Sequence, residues 1–304
     1  MPLPSLLDRY EGSLLGLACG DAVGTTVEFA PRGSFVPVSG MTGGGPFGLK
    51  PGQWTDDTAM ALCLAESLVE RGGFDARDQM TRYLNWWRWG YMSSTGECFD
   101  IGMTTRGALA RFEQSGDPFS GSSDPEQAGN GSLMRLAPVV LRYHPDTELV
   151  LQHAAESSRT THAAFEAVDS CRLLAHVLSA ALLGLPKDRW LENAAAAVSA
   201  PKVLQIARGS FAAKSQEEIR GSGYAVASLE AALWCCMQTE TFRDAVLCAA
   251  NLGDDADTTA AIVGQIAGAH YGGSAIPPDW TGQLHMEQEI RALASRLLTA
   301  ASAA

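Results

Sequence analysis

The chain has 304 residues, 46% hydrophobic and 18% charged, with a formal net charge of −12. That composition excludes a disordered chain and fits a helix-rich globular protein, which we read as one domain over residues 1–304. No run of Lys or Arg is dense enough to track a phosphate backbone, so duplex nucleic acid is not an expected partner, and no uncharged apolar run reaches membrane-spanning length.

Residues 6–19 have helical periodicity and run into Gly20-Asp21-Ala22-Val23-Gly24, where two glycines loosen the chain and lead to Glu28. Residues 31–53, rich in Gly and Pro, form a loop too long for a simple connector. The loop delivers the chain to Thr55, placed as the N-cap of a buried helix over 56–69, with Asp56 and Asp57 in its first turn. Further helices are expected at 77–89, 102–115, 132–142, 147–157, 163–184, 189–197, 201–208, 224–237, 241–252, 257–271 and 284–301, with fraying over 300–304. Strand-like alternation is almost absent, so the expected fold class is all-α, a compact orthogonal bundle of many helices. Seven cysteines without a CxxC pair read as buried, reduced thiols, and an N-terminus without a basic region and apolar core reads as cytoplasmic.

Two acidic segments stand out, Thr55-Asp56-Asp57-Thr58 and Asp254-Asp255-Ala256-Asp257-Thr258. Taken singly, each is explained by helix capping, because Asp and Thr favour the positive end of a helix. Taken together, they offer carboxylates and hydroxyls that suit Mg²⁺ or Mn²⁺ and neither zinc nor an iron–sulfur centre. If the two helix ends converge, they can hold two cations about 3.5 to 4 Å apart.

Gly129-Asn130-Gly131-Ser132-Leu133-Met134-Arg135 is a glycine-flanked turn leading into an apolar helix, where backbone N–H groups can cradle a phosphate; a plain turn and cap is the more ordinary reading of the same residues. It is not a P-loop, since no Gly-Lys-Ser/Thr follows. His162, Tyr224, Glu28 and Asp100 are each ambiguous alone.

In order and spacing these segments, together with Met41-Thr42-Gly43-Gly44-Gly45, Phe99-Asp100-Ile101-Gly102, Thr161-His162 and Ser222-Gly223-Tyr224, resemble the ADP-ribosylglycohydrolases, and among them the branch containing the dinitrogenase reductase-activating glycohydrolase. The resemblance covers nearly the whole chain. It implies an all-α bundle around a central dinuclear cleft for Mg²⁺ or Mn²⁺, with Thr55, Asp56, Asp57, Asp255, Asp257 and Thr258 as ligands. Asp254 is left out of that set. It places the substrate diphosphate near Gly129, Asn130, Gly131 and Ser132, with His162 and Tyr224 lining the ADP-ribose cleft.

The implied reaction removes ADP-ribose from a modified protein side chain, with N-linked ADP-ribosylarginine as the expected linkage and ADP-ribose as product. Glycoside hydrolysis of this kind passes through an oxocarbenium-like transition state with carboxylates moving protons. Asp100 is expected beside the departing group and Glu28 near the metal site, with Asp56 assisting the attacking water. The competing readings are hydrolysis of another ADP-ribose linkage, such as serine or a small conjugate, a non-catalytic ADP-ribose binding protein, and an unrelated Mg²⁺-dependent phosphohydrolase.

Overall fold

The computed structural model describes residues 4–302. Its thirteen α-helices are α1 (Leu6–Gly24), α2 (Asp56–Glu70), α3 (Ala76–Trp89), α4 (Met103–Ser115), α5 (Ala137–Tyr143), α6 (Thr147–Arg159), α7 (Phe165–Leu182), α8 (Pro201–Ala207), α9 (Ala225–Gln238), α10 (Phe242–Ala250), α11 (Ala256–Tyr271), α12 (Pro278–Thr281) and α13 (Glu287–Ser302). No strand forms among the described residues, and only three isolated bridges pair extended backbone. The fold is all-α.

The central pair is α1 and α11. Gly12, Gly16, Gly20 and Gly24 recur every fourth residue and so share one face of α1. They meet Gly268, Gly264, Ala260 and Ala256 of α11 in reverse order, which makes the pair antiparallel. A Cβ on Gly12, Gly16 or Gly20 would collide with the carbonyl oxygen of its partner, so the two helices touch backbone to backbone. This seam sets the C-terminal end of α1 against the N-terminal end of α11.

Arg9 fastens the far end of the seam. It is 3% exposed, and its Nη1 donates to the carbonyls of Ala181, Ala269 and His270 at 2.8–3.0 Å. Those carbonyls belong to the last turns of α7 and α11, where the regular helical hydrogen-bond ladder runs out. One continuous apolar cluster surrounds the pair, and it includes the fully buried Trp54, Trp86, Trp190 and Trp280.

Four segments depart from the sequence reading. The first helix does not loosen at Gly20 but continues through Gly24, because its glycines are the packing surface. Residues 131–135 are turns, and α5 starts only at Ala137. The cause is Gln265 on α11, whose side chain accepts from the Ala137 N–H at 2.9 Å and donates to the carbonyls of Leu133 and Met134 at 3.2 and 2.8 Å. The Ala-rich stretch 189–197 forms 3-10 turns, interrupted by Asn193 in the left-handed region at φ 61°. The final helix, expected from 284, starts at Glu287 and holds through Ser302, and the short α12 precedes it where no helix was expected. Of the stretch expected to fray, residues 303–304 lie outside the described residues. All seven cysteines are free thiols, five of them buried and two half-buried.

Candidate active site

The seam brings the two acidic segments together. Asp56 and Asp57 open α2, Asp255 stands at the N-cap of α11, and Asp257 lies in its first turn. The Thr55 hydroxyl lies 3.3 Å from Asp57 Oδ2 and 3.3 Å from Asp257 Oδ2, and Thr258 Oγ1 lies 3.4 Å from Asp57 Oδ2. The two helix N-termini therefore converge, as the metal reading requires.

Asp21 on α1 joins them, and the sequence reading gave it no role. Its Oδ1 accepts from the Thr55 N–H and hydroxyl at 2.9 and 3.0 Å, and its Oδ2 from the Thr58 N–H and hydroxyl at 3.0 and 2.6 Å. One fully buried carboxylate thus holds the start of α2 through four donors. The signal was available in the sequence: an acid inside the apolar run Ala18-Cys19-Gly20-Asp21-Ala22-Val23 needs buried partners.

Carboxylate oxygens of Asp21, Asp57 and Asp257 lie within 4.8 Å of one another, and so do those of Glu28, Asp100 and Asp257. Asp257 belongs to both groups. Among the described residues, none of the ion pairs involves any of these acids, Asp56 or Asp255. Asp57 Oδ1 and Glu28 Oε2 are buried without a hydrogen-bond partner. Burial, followed by mutual repulsion, pushes Glu28 up to about 9 and Asp100 to about 7; burial pushes Asp21 to about 6 against its hydrogen bonds. The carboxyls of Asp56, Asp57 and Asp257 are held well above the ordinary range, again by burial first and neighbouring acids second. Hard oxygen donors crowded in this way, with orphaned oxygens and no cationic side chain beside them, fit a divalent cation.

Above these acids opens a cleft of about 680 Å³. Glu28, Asp56, Asp100, Asp255, Asp257 and Thr258 line it, with Gly129, Asn130, Gly131 and His162. Thr55 and Asp57, 1% and 0% exposed, lie beneath its floor. Asp100 is held in the left-handed region at φ 59°, which Asp tolerates better than most residues and which turns the chain just ahead of α4. Asp254 also reaches the cleft, and its backbone pairs with Phe29 and Ala30 at 2.7 and 2.9 Å.

The glycine-rich turn is stitched to the start of α11 and to α9. The side-chain amide of Asn130 donates to Asp255 Oδ2 at 2.6 Å and to Ser228 Oγ at 2.8 Å, and its backbone N–H donates to the Gly223 carbonyl at 3.0 Å. Both side-chain protons and the backbone proton of Asn130 are thus committed inside the protein. Ser132 is buried behind the turn, where its hydroxyl accepts from Ser158 at 2.9 Å. Tyr224 lies outside the main cleft and lines an adjoining hollow of about 600 Å³ that shares Gly129 and Gly223 with it. There Tyr224 donates to Glu166 and accepts from Lys202.

A family model described as ADP-ribosylglycohydrolase matches residues 2–304. The chain is 47% identical over 291 residues to an ADP-ribosylarginine hydrolase of Pseudomonas putida (strain GB-1), covering 96% of this chain and 78% of that one. It is 35% identical to the ADP-ribosyl-[dinitrogen reductase] glycohydrolase of Rhodospirillum rubrum, covering 98% of each chain. A solved structure described as an ADP-ribosylglycohydrolase-related protein complex superposes with a TM-score of 0.87 at 45% identity, covering 97% of this chain and 99% of that one.

Proposed function

Because the chain belongs to the ADP-ribosylglycohydrolase family, we propose that it hydrolyses the N-glycosidic bond between ADP-ribose and an arginine side chain of a modified protein. The observation that carries the reading is the convergence of two acidic helix ends, with orphaned carboxylate oxygens, beneath a cleft large enough for a nucleotide. The choice of arginine follows the relatives whose names state that linkage, at 47% and 43% identity. The family match over 2–304 and the continuous core support a single domain.

Thr55, Asp56, Asp57, Asp255, Asp257 and Thr258 would hold two divalent cations, Mg²⁺ or Mn²⁺. When bound, these supply Lewis-acid polarisation of oxygen ligands at neutral pH. The remaining work falls to the chain's own groups. The glycine-rich turn offers the N–H groups of Gly129, Gly131 and Ser132, none of which has a backbone or side-chain acceptor among the described residues, to the substrate diphosphate. Asp100, on the cleft wall, protonates the departing guanidine nitrogen as the bond to the anomeric carbon breaks. Glu28, which would be ionised once cation charge offsets the neighbouring acids, takes a proton from the water whose oxygen bonds to that carbon, with Asp56 on the cleft surface assisting. Proton transfer within the Glu28–Asp100–Asp257 group, all within 4.8 Å, resets the site.

The test is to incubate the purified protein and Mg²⁺ or Mn²⁺ with arginine-linked and serine-linked ADP-ribosyl peptides. Release of ADP-roibose from the arginine peptide is expected; release from the serine peptide alone, or release of phosphate, rejects the reading.

A further inference from the structure

Arg135 closes the glycine-rich turn, yet it points away from the cleft and is 0% exposed. No carboxylate pairs with it among the described residues. Its guanidinium stacks over the Tyr83 ring at 4.6 Å, and its Nε has no partner. A buried, unpaired guanidinium is costly to fold around, so what it touches is informative. Its shortest hydrogen bond runs from Nη2 to Thr161 Oγ1 at 2.6 Å, and Thr161 Oγ1 in turn lies 2.8 Å from His162 Nδ1.

Only one proton arrangement along this chain gives the Thr161 hydroxyl an acceptor. A guanidinium only donates, so the Thr161 oxygen accepts from Arg135. The Thr161 hydroxyl has a single proton, and His162 Nδ1 is its only acceptor among the described residues. His162 Nδ1 is therefore unprotonated, and the imidazole proton resides on Nε2. That nitrogen faces the turn: a Cβ on Gly131 would fall 3.2 Å from it and one on Gly129 3.4 Å. Burial and the nearby Arg135 charge push His162 down to about 3, which agrees with a neutral ring.

We propose that Arg135 and Thr161 are positioning residues that lock His162 as a neutral Nε2–H donor, aimed at an anionic phosphate oxygen held by the Gly129–Gly131 turn. His162 then binds without exchanging protons. The proposal rests on the reading of that turn as the diphosphate site. It also gives a reason for the glycines, since side chains at 129 or 131 would crowd the Nε2 edge.

Long-range proton–nitrogen NMR of the ligand-free protein, with His162 assigned by its loss in His162→Gln, reads the tautomer directly. The wild type should show a protonated Nε2 and a bare Nδ1. Thr161→Val should release the lock, give a mixture of tautomers, and weaken ADP-ribose binding about tenfold, raising KM more than it lowers kcat. Thr161→Ser, which keeps the hydroxyl, should restore both readouts. A wild-type ring protonated on Nδ1, or unchanged ADP-ribose affinity in Thr161→Val, overturns the proposal. Failure of the wild type to bind ADP-ribose overturns the reading of the cleft, and the ligand-free tautomer spectrum tells that failure apart from failure of the relay.

Discussion

Replacing Asp21 with alanine tests whether one buried carboxylate organises the site. The change removes the acceptor for the N–H and hydroxyl of both Thr55 and Thr58. The Thr55 hydroxyl has other acceptors at 3.3 Å in Asp57 and Asp257, which leaves three donors orphaned at the buried start of α2. At about 1.5 kcal/mol each, these cost about 5 kcal/mol. Against this, the variant removes a charge whose burial raises its pKa to about 6, a relief of about 3 kcal/mol at neutral pH. The metal-free variant should therefore lose about 2 kcal/mol, a fall in Tm of about 3 °C. Its affinity for Mg²⁺ or Mn²⁺ should fall at least tenfold, because Thr55 and the first turn of α2 are no longer held in place. Thermal unfolding in chelator and calorimetric titration of the cation read the two effects separately. A variant as stable as the wild type with unchanged cation affinity refutes the role assigned to Asp21.

Asp100→Asn should depress kcat far more than it weakens ADP-ribose binding, and equal losses in both would remove Asp100 from the proton-transfer steps. In chelator the protein should become less stable as pH rises from about 4 to about 9, because Asp21, Asp100 and Glu28 keep protons in the folded state that the unfolded chain has lost. Adding a divalent cation should therefore raise Tm more at pH 8 than at pH 5; a chelator-treated Tm that climbs over this range contradicts the crowding of buried acids. Gly264→Ala should cost more than about 3 kcal/mol, since the new Cβ meets the Gly16 backbone, which cannot turn aside, whereas Gly40→Ala, whose nearest neighbour is 3.7 Å away, should stay within about 0.5 kcal/mol. Urea unfolding of the pair measures the difference.

The helices were largely legible because their apolar faces repeat with helical period, and both acidic segments announced helix starts by putting Asp and Thr where capping favours them. Convergence of those starts was not legible from either segment. It depends on the Gly12-Gly16-Gly20-Gly24 face meeting Ala256-Ala260-Gly264-Gly268, and glycines inside a helix pattern were read as breakers instead of as a seam. The fourth-residue spacing in both helices was the overlooked signal. The turn over 131–135 looked like a helix start because Leu133 and Met134 lead into the apolar run of α5; Gln265, far along the chain, takes carbonyls that a helix would use. Asn130, read as a substrate contact, lines the cleft, and its amide nitrogen also spans to Asp255 and Ser228, a partnership that neighbouring residues do not encode.

The central claim is that two acidic segments form one cation site, and counting cations tests it most directly. Titration of Mg²⁺ or Mn²⁺ into chelator-stripped wild-type protein should give two per chain. In Asp257→Ala, which deletes the one carboxylate common to both groups, the stoichiometry should collapse together with activity. Absence of divalent-cation binding by the wild type, or an unchanged count in the variant, would contradict the account.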